Sequence, residues 1–150
     1  MPRARKLTFQ PAVNRIVRVL LRTPLVCRVV GARLVTIYAV GRKSGRRLTL
    51  PVAYTRLNGQ LLIGTPFRWA RNLRTGEPVD IRIRGRRLTA DVVVATDEKR
   101  VTADYAILAR DNHQFARFNR VALNDAGEPN PDDLHACWAA GARSIRLTPR

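Results

Sequence analysis

The chain has 150 residues, of which 45% are apolar, a composition that predicts one domain with a sizeable core and no second domain. Its formal net charge is +17, and residues 1 to 76 contain 16 Lys or Arg and no carboxylate. This charge indicates an anionic partner (a phosphate-bearing cofactor, nucleic acid or a membrane surface) or else a solvated basic face with no partner. The absence of an apolar run of roughly 18 residues excludes a spanning helix.

Residues 1 to 33 are predicted to be helical. Between residues 10 and 22 the apolar residues recur at helical spacing and arginines occupy the other side, which is typical of an amphipathic helix with a basic face. This helix either packs on the core or lies on an anionic membrane. The N-terminus lacks the apolar run of a signal peptide, and Cys27 and Cys137 form no CxxC pair, so a cytoplasmic protein is expected, with membrane association as an option.

From residue 34 the apolar period changes to two, which predicts a series of short strands. The Asn58-Gly59 pair predicts a type I′ hairpin between two of them. Thr96 is expected to cap a helix that reaches Arg110, and residues 111 to 135 are expected to form an insertion with a short helix and a polar loop. The predicted strands cover residues 34–40, 47–55, 60–65, 79–83, 88–94 and 142–149.

A cationic turn, "GRKSGRR", separates the first two strands. Arg42, Lys43, Arg46 and Arg47 repel one another here, so a bound anion is expected to relieve the repulsion. Backbone N–H groups in a glycine-flanked turn, together with guanidinium groups, suit a phosphate. The turn is therefore the first candidate for a binding site.

The sequence contains the motifs "GRKSG", Pro51, "VAY", an Asn-Gly hairpin and "WxxNL" ending at Leu73. Through these motifs, residues 10 to about 110 resemble the deazaflavin-dependent nitroreductase family. This resemblance implies a mainly β, split β-barrel fold with flanking helices, related to that of the pyridoxamine 5'-phosphate oxidases. It also implies coenzyme F420 as the cofactor, with FMN or haem as alternatives. The expected activity is hydride transfer between the deazaflavin and an apolar conjugated acceptor such as a quinone, a nitro compound or an enone.

The same resemblance implies the residues of a cofactor site. Leu48 stands where the family has an arginine, with Arg46 and Arg47 as substitutes, and the short segment "GTPFRW" implies a narrower pocket. The implied roles are phosphate binding by Arg42, Lys43 and Ser44, contact with the deazaflavin by Thr49, Leu50, Pro51 and Val52, and closure of the ring pocket by the segment from Trp69 to Asn72. Three further residues are expected to bind the cofactor: Gly45, Gly64 and Thr65.

The remaining residues give weaker signals. His113 and His135 have no cluster of carboxylates or thiols around them at metal spacing, so no metal site is predicted. Glu98 and Asp104 are interpreted as helix surface, and no catalytic residue is identified. Phe115 and Phe118 are candidates for an aromatic substrate pocket, for core packing or for a lid.

Three classes of function stay open on the sequence alone. The first is an F420-dependent oxidoreductase, and the second is a non-catalytic split-barrel protein that binds lipid, haem or flavin. The third is a nucleic-acid binder, favoured by charge but disfavoured because no nucleic-acid-binding motif is present. A homodimer is also compatible with the sequence.

Overall fold

Seven strands form one antiparallel sheet in the computed structural model, which describes residues 33–150. The predicted helix at residues 10–22 lies outside the described residues. The strands are β1 (Leu34–Val40), β2 (Arg47–Ala53), β3 (Thr55–Leu57), β4 (Gln60–Thr65), β5 (Val79–Ile83), β6 (Arg86–Ala95) and β7 (Arg143–Pro149). A 3-10 turn (Arg68–Asn72) follows β4, and the helices are α1 (Glu98–Asp111), α2 (His113–Phe118) and α3 (Pro131–Ala139).

The sheet has the order β2-β1-β5-β6-β7-β4-β3 and is curled into a half-barrel. The β3–β4 hairpin has the predicted positive φ angles, 50° at Asn58 and 79° at Gly59, which confirms the type I′ interpretation. The predicted second strand is divided at Tyr54 into β2 and β3, and the Tyr54 N–H donates to the carbonyl of Arg33 at 2.9 Å, in the register of the β1–β2 pairing. The mainly β architecture with flanking helices is as predicted.

The two faces of the sheet belong to two apolar clusters. Along β4, Leu61 and Ile63 join a cluster formed by the strands and the 3-10 turn, whereas Leu62 joins a second cluster under the helices. This division follows from the alternation of side chains along a strand. None of the helices within residues 33–150 is long and apolar enough to cross a bilayer.

Helix α1 differs from its prediction in two respects. Asp97, and not Thr96, is its N-cap, because the Asp97 carboxylate accepts a hydrogen bond from the N–H of Arg100 at 3.0 Å. Asp104 is only 2% exposed, so its interpretation as helix surface was wrong. Its carboxylate accepts hydrogen bonds from Ser144 Oγ at 2.6 Å and from an Arg146 guanidinium nitrogen at 2.8 Å, which ties α1 to β7.

Glu98, by contrast, is exposed as predicted and pairs with His135 on α3. Helix α3 itself was not predicted, because residues 111 to 135 were interpreted as one short helix and a loop. Asn130 caps α3 by accepting from the N–H groups of Asp132 and Asp133, and Pro131 occupies its first turn.

Candidate functional site

The cationic turn between β1 and β2 is held by its own backbone. Gly41 N donates to the carbonyl of Arg46 at 2.7 Å, and Gly45 N donates to the carbonyl of Gly41 at 2.8 Å. Gly45 has a φ of 69°, a left-handed conformation that glycine adopts without a steric penalty. Within the described residues no hydrogen bond occupies the N–H groups of Lys43 and Ser44, so both can donate to a bound anion.

A hydrogen bond joins this turn to the 3-10 turn. Arg42 N donates to Asn72 Oδ1 at 3.1 Å, and a guanidinium nitrogen of Arg42 donates to the carbonyl of Arg71 at 3.4 Å. Asn72 belongs to the "WxxNL" motif and Arg42 to the "GRKSG" motif. The structure therefore brings together two motifs that the sequence places on separate elements.

Arginine side chains converge beside this contact. Arg143, the first residue of β7, is half-buried and pairs with Thr65 of β4 in the sheet. Burial lowers the pKa of the Arg143 guanidinium, and the charge of Arg71 lowers it further. None of the ion pairs between described residues includes Arg42, Arg71 or Arg143. A bound anion would therefore relieve an electrostatic cost that the fold leaves uncompensated.

Arg143 was not among the predicted site residues. It lies far from Arg71 in the chain, and only the pairing of β7 with β4 brings it near. The available signal was an arginine at the start of a strand, which is too common to identify a site.

Strand β2 forms one edge of the sheet. Within the described residues it pairs only with β1, in which Thr36 faces Pro51. A proline is tolerated at an edge because it has no N–H to donate to a further strand. Thr49 is exposed, whereas Leu50 and Val52 are half-buried against the first cluster. The predicted ring-binding segment is thus an accessible edge with an apolar flank.

Three other predicted site residues are buried or covered by neighbouring side chains. Trp69 is 7% exposed and belongs to the first apolar cluster. Gly64 is covered by the helices, because a Cβ atom there would lie 2.7 Å from Tyr105 and 2.8 Å from Leu108. Thr65 is buried and its hydroxyl accepts a hydrogen bond from Phe67 N at 3.1 Å. These residues therefore offer little open surface to a ligand.

Aromatic side chains lie on the helical side of the same region. Phe118 is 54% exposed and contacts Phe67 edge-on, with ring centroids 6.1 Å apart. Phe115 instead packs edge-on against Tyr105 at 5.0 Å, in the second apolar cluster. Phe118 and Phe67 are therefore the accessible aromatic residues here. In the part of the chain that the structure describes, no group of three or more His, Cys, Asp or Glu could hold a metal ion.

Comparison with solved structures identifies the fold. The chain is similar to a conserved hypothetical protein of Mycobacterium tuberculosis with a TM-score of 0.51 at 12% identity, covering 81% of this chain and 76% of that chain. It is also similar to a pyridoxamine 5'-phosphate oxidase-related, FMN-binding protein of Nostoc punctiforme, with a TM-score of 0.53 at 13% identity and coverage of 89% and 78%.

A third structure, of an F420-H2-dependent reductase, gives a TM-score of 0.47 at 15% identity, with coverage of 76% and 93%. No protein-family model and no curated protein sequence matches the chain. The similarity to the Mycobacterium tuberculosis protein and to the Nostoc punctiforme protein confirms the predicted split β-barrel fold.

Proposed function

We propose that the chain binds coenzyme F420 and acts as an oxidoreductase toward an apolar conjugated acceptor such as a quinone, a nitro compound or an enone. The observation that carries this proposal is the hydrogen bond from Arg42 N to Asn72 Oδ1, at 3.1 Å. It joins the two motifs on which the resemblance to the deazaflavin-dependent nitroreductases rests. The similarity to an FMN-binding split barrel is consistent with a flat, phosphate-bearing ring cofactor.

The residues of the turn fit the anionic part of such a cofactor. The open N–H groups of Lys43 and Ser44, the Lys43 ammonium and the guanidinium group of Arg42 would hold its phosphate. Arg71 and Arg143, which have no acidic partner among the described residues, extend the positive charge beyond the turn. The exposed side chains of Arg46 and Arg47 would attract a glutamate tail through longer-range electrostatics.

The remaining residues would bind the ring and the acceptor. The edge strand β2, from Thr49 to Val52, would contact the ring, and Phe67 and Phe118 would supply an apolar surface for the acceptor. A deazaflavin carries the hydride chemistry itself when it is bound. The protein then has to bind and orient the cofactor and the acceptor and to exclude water, and this proposal assigns no general acid or base to the described residues of the site.

A second function, binding without catalysis, is favoured by a specific observation. Trp69 is packed in the core and Gly64 is covered by the helices, so neither residue offers the open pocket that the family pattern implies. A split barrel with this arrangement would hold haem, a flavin or a lipid at the β2 edge without bringing an acceptor close to it.

A titration of the purified chain with F420, FMN and haem tests both functions. If the turn holds the cofactor phosphate, Lys43→Ala weakens F420 binding by about 1.5–3 kcal/mol, the scale of a hydrogen bond to a charged group. Lys99→Ala on α1 is the matched control, because it removes the same charge from an exposed position on another element. Equal affinities for the two variants would remove the turn from the site.

Turnover then separates the enzyme from the binding protein. Reduced F420 is mixed with the chain and a naphthoquinone, and the return of the oxidised cofactor is followed by absorbance. An enzyme oxidises the cofactor faster than the buffer control and loses that rate in Lys43→Ala. Tight F420 or haem binding with no rate above the control would support the binding protein instead.

A further inference from the structure

A cavity lined by basic residues lies at the end of β1 opposite to the cationic turn. This cavity is open to solvent on one side, has a volume of about 310 Å³ and is lined by Arg33, Tyr54, Arg56, Arg84 and Asp111. Arg33 precedes the first residue of β1, whereas the cationic turn follows the last one. A strand of 7 residues spans roughly 23 Å, so the cavity and the cationic turn are separate places on the molecule.

The charges that line this cavity do not balance. The Asp111 carboxylate pairs with the Arg33 guanidinium and also accepts a hydrogen bond from Thr55 Oγ1 at 2.7 Å. Arg56 and Arg84 have no acidic partner among residues 33–150. The lining therefore has a formal surplus of two positive charges, on the two guanidinium groups that Asp111 does not reach.

The rest of the chain near Arg33 cannot neutralise this surplus with a side chain. The first carboxylate in the sequence is Glu77, so residues 1 to 32 contain no Asp or Glu. Whatever their arrangement, these residues add only neutral or basic side chains. A compensating anion has to come from outside this segment.

The backbone at Arg84 gives an independent indication of function. Arg84 has a φ of 49°, and Gly85, at 77°, completes the turn between β5 and β6. The equivalent turn between β3 and β4 uses Asn58, which tolerates a left-handed conformation better than other residues that carry a side chain. Holding an arginine instead of an asparagine in this left-handed conformation costs a conformational free energy on the order of 1 kcal/mol. Residues that retain such backbone strain cluster at functional sites.

We propose that this cavity binds a small phosphate-bearing molecule, at a site separate from the cofactor site proposed above. The guanidinium groups of Arg56 and Arg84 match the geometry of phosphate oxygens, and the pair formed by Arg33 and Asp111 adds a further anchored donor. Tyr54 is 4% exposed and supplies an aromatic wall. The cavity volume lies at the lower end of the range for small-molecule sites, which fits a phosphorylated metabolite of few atoms.

Backbone amide shifts in ¹⁵N-labelled protein, titrated with inorganic phosphate, test this site without any cofactor. Saturable shifts at Tyr54 and Arg56 are expected, and they are distinguishable from shifts at Lys43 and Ser44 in the cationic turn. The Lys43→Ala variant should keep the shifts at Tyr54 and Arg56. A failure of F420 to bind would leave this result unchanged, and a failure here would leave the F420 titration unchanged.

Two substitutions in the lining and one control locate the effect. Arg84→Asn removes the guanidinium while retaining a residue suited to the turn, and Arg56→Gln removes the second free charge. Each is expected to weaken phosphate binding at the cavity about tenfold or more, the loss of a charge-assisted hydrogen bond. Arg86→Gln is the control, because Arg86 follows the same turn, is exposed and does not line the cavity.

Three outcomes would overturn the proposal. Shifts at Tyr54 and Arg56 that do not saturate would mean that no site exists there. An effect of Arg86→Gln as large as that of Arg84→Asn would mean diffuse attraction to a basic surface. Succinate that shifts the same amides with equal or higher affinity would mean that the cavity selects carboxylates.

Discussion

Replacement of Asp104 tests how α1 is attached to the sheet. The carboxylate is 2% exposed, and its two oxygens accept hydrogen bonds from Ser144 at 2.6 Å and Arg146 at 2.8 Å. Asp104→Ala leaves a guanidinium and a hydroxyl without their acceptor. Removal of one partner of a buried ion pair costs about 3–5 kcal/mol, and the Arg146 side chain is 25% exposed, so water compensates in part. We therefore expect a loss of about 3 kcal/mol in the free energy of unfolding.

Urea denaturation followed by circular dichroism measures this loss. Asp91→Ala is the matched control: Asp91 accepts a hydrogen bond from Arg150 at 2.7 Å, but both side chains are more than half exposed, so a loss below about 1 kcal/mol is expected. Asp104→Asn retains a hydrogen-bond acceptor and provides a folded variant if Asp104→Ala does not fold. Equal losses for Asp104→Ala and Asp91→Ala would refute the interpretation that burial makes the Asp104 contacts strong.

Three other substitutions probe packing and the contact between the motifs. Burial raises the pKa of the Tyr105 phenol well above its ordinary value, and Cys137 adds a smaller contribution. As the pH rises above about 10, this phenol therefore ionises first in the unfolded chain, and the free energy of unfolding falls. The Tyr105 hydroxyl has no hydrogen-bond partner among residues 33–150, so Tyr105→Phe should stabilise the fold by about 1 kcal/mol near neutral pH. It should also reduce the alkaline loss of stability in urea titrations, and a destabilised variant would contradict this. Gly64→Ala should lower the free energy of unfolding by about 1–3 kcal/mol, since the new methyl group would meet the fully buried Tyr105 ring, and an unchanged melting temperature would show that the helices yield. Asn72→Ala removes the acceptor of Arg42 N and should weaken F420 binding by about 0.5–1.5 kcal/mol in the titration above; unchanged affinity would mean that the contact does not shape the site.

The strands could be predicted because their signals are local. Alternation along β1 and β4 and the Asn58-Gly59 pair depend on neighbouring residues alone. Asp104 could not be placed in this way. It lies on the same face of α1 as Val101 and Leu108, which predicts burial, but an isolated carboxylate is almost never buried. Its partner Arg146 is on β7, and a long-range contact of this kind has no local signal.

The same reason limits how much of the candidate site can be predicted from the sequence. The cationic turn is a continuous segment, so its charges are visible in the sequence, whereas Arg143 reaches the site only through strand pairing. Helix α3 did have local signals, in the Asn130 cap and the proline after it, but the polar composition around them favoured a loop. The arginines of the cavity at the start of β1 lie far apart in the sequence: Arg33 precedes β1, Arg56 is in β3 and Arg84 is in the β5–β6 turn. Only the assembled sheet brings them together.

The position of β7 has a consequence for the order in which the protein can fold. This strand lies between β6 and β4, so, among the strands of residues 33–150, β7 alone connects the β3–β4 hairpin to the rest of the sheet. At roughly 5–20 residues per second, a ribosome needs on the order of 4–17 seconds to advance from the end of β4 to the end of β7. Throughout that interval Leu61 and Ile63 lack their β7 partners Leu147 and Ile145. We therefore expect the nascent hairpin to expose an unpaired strand edge and apolar side chains, the features through which unfinished chains associate.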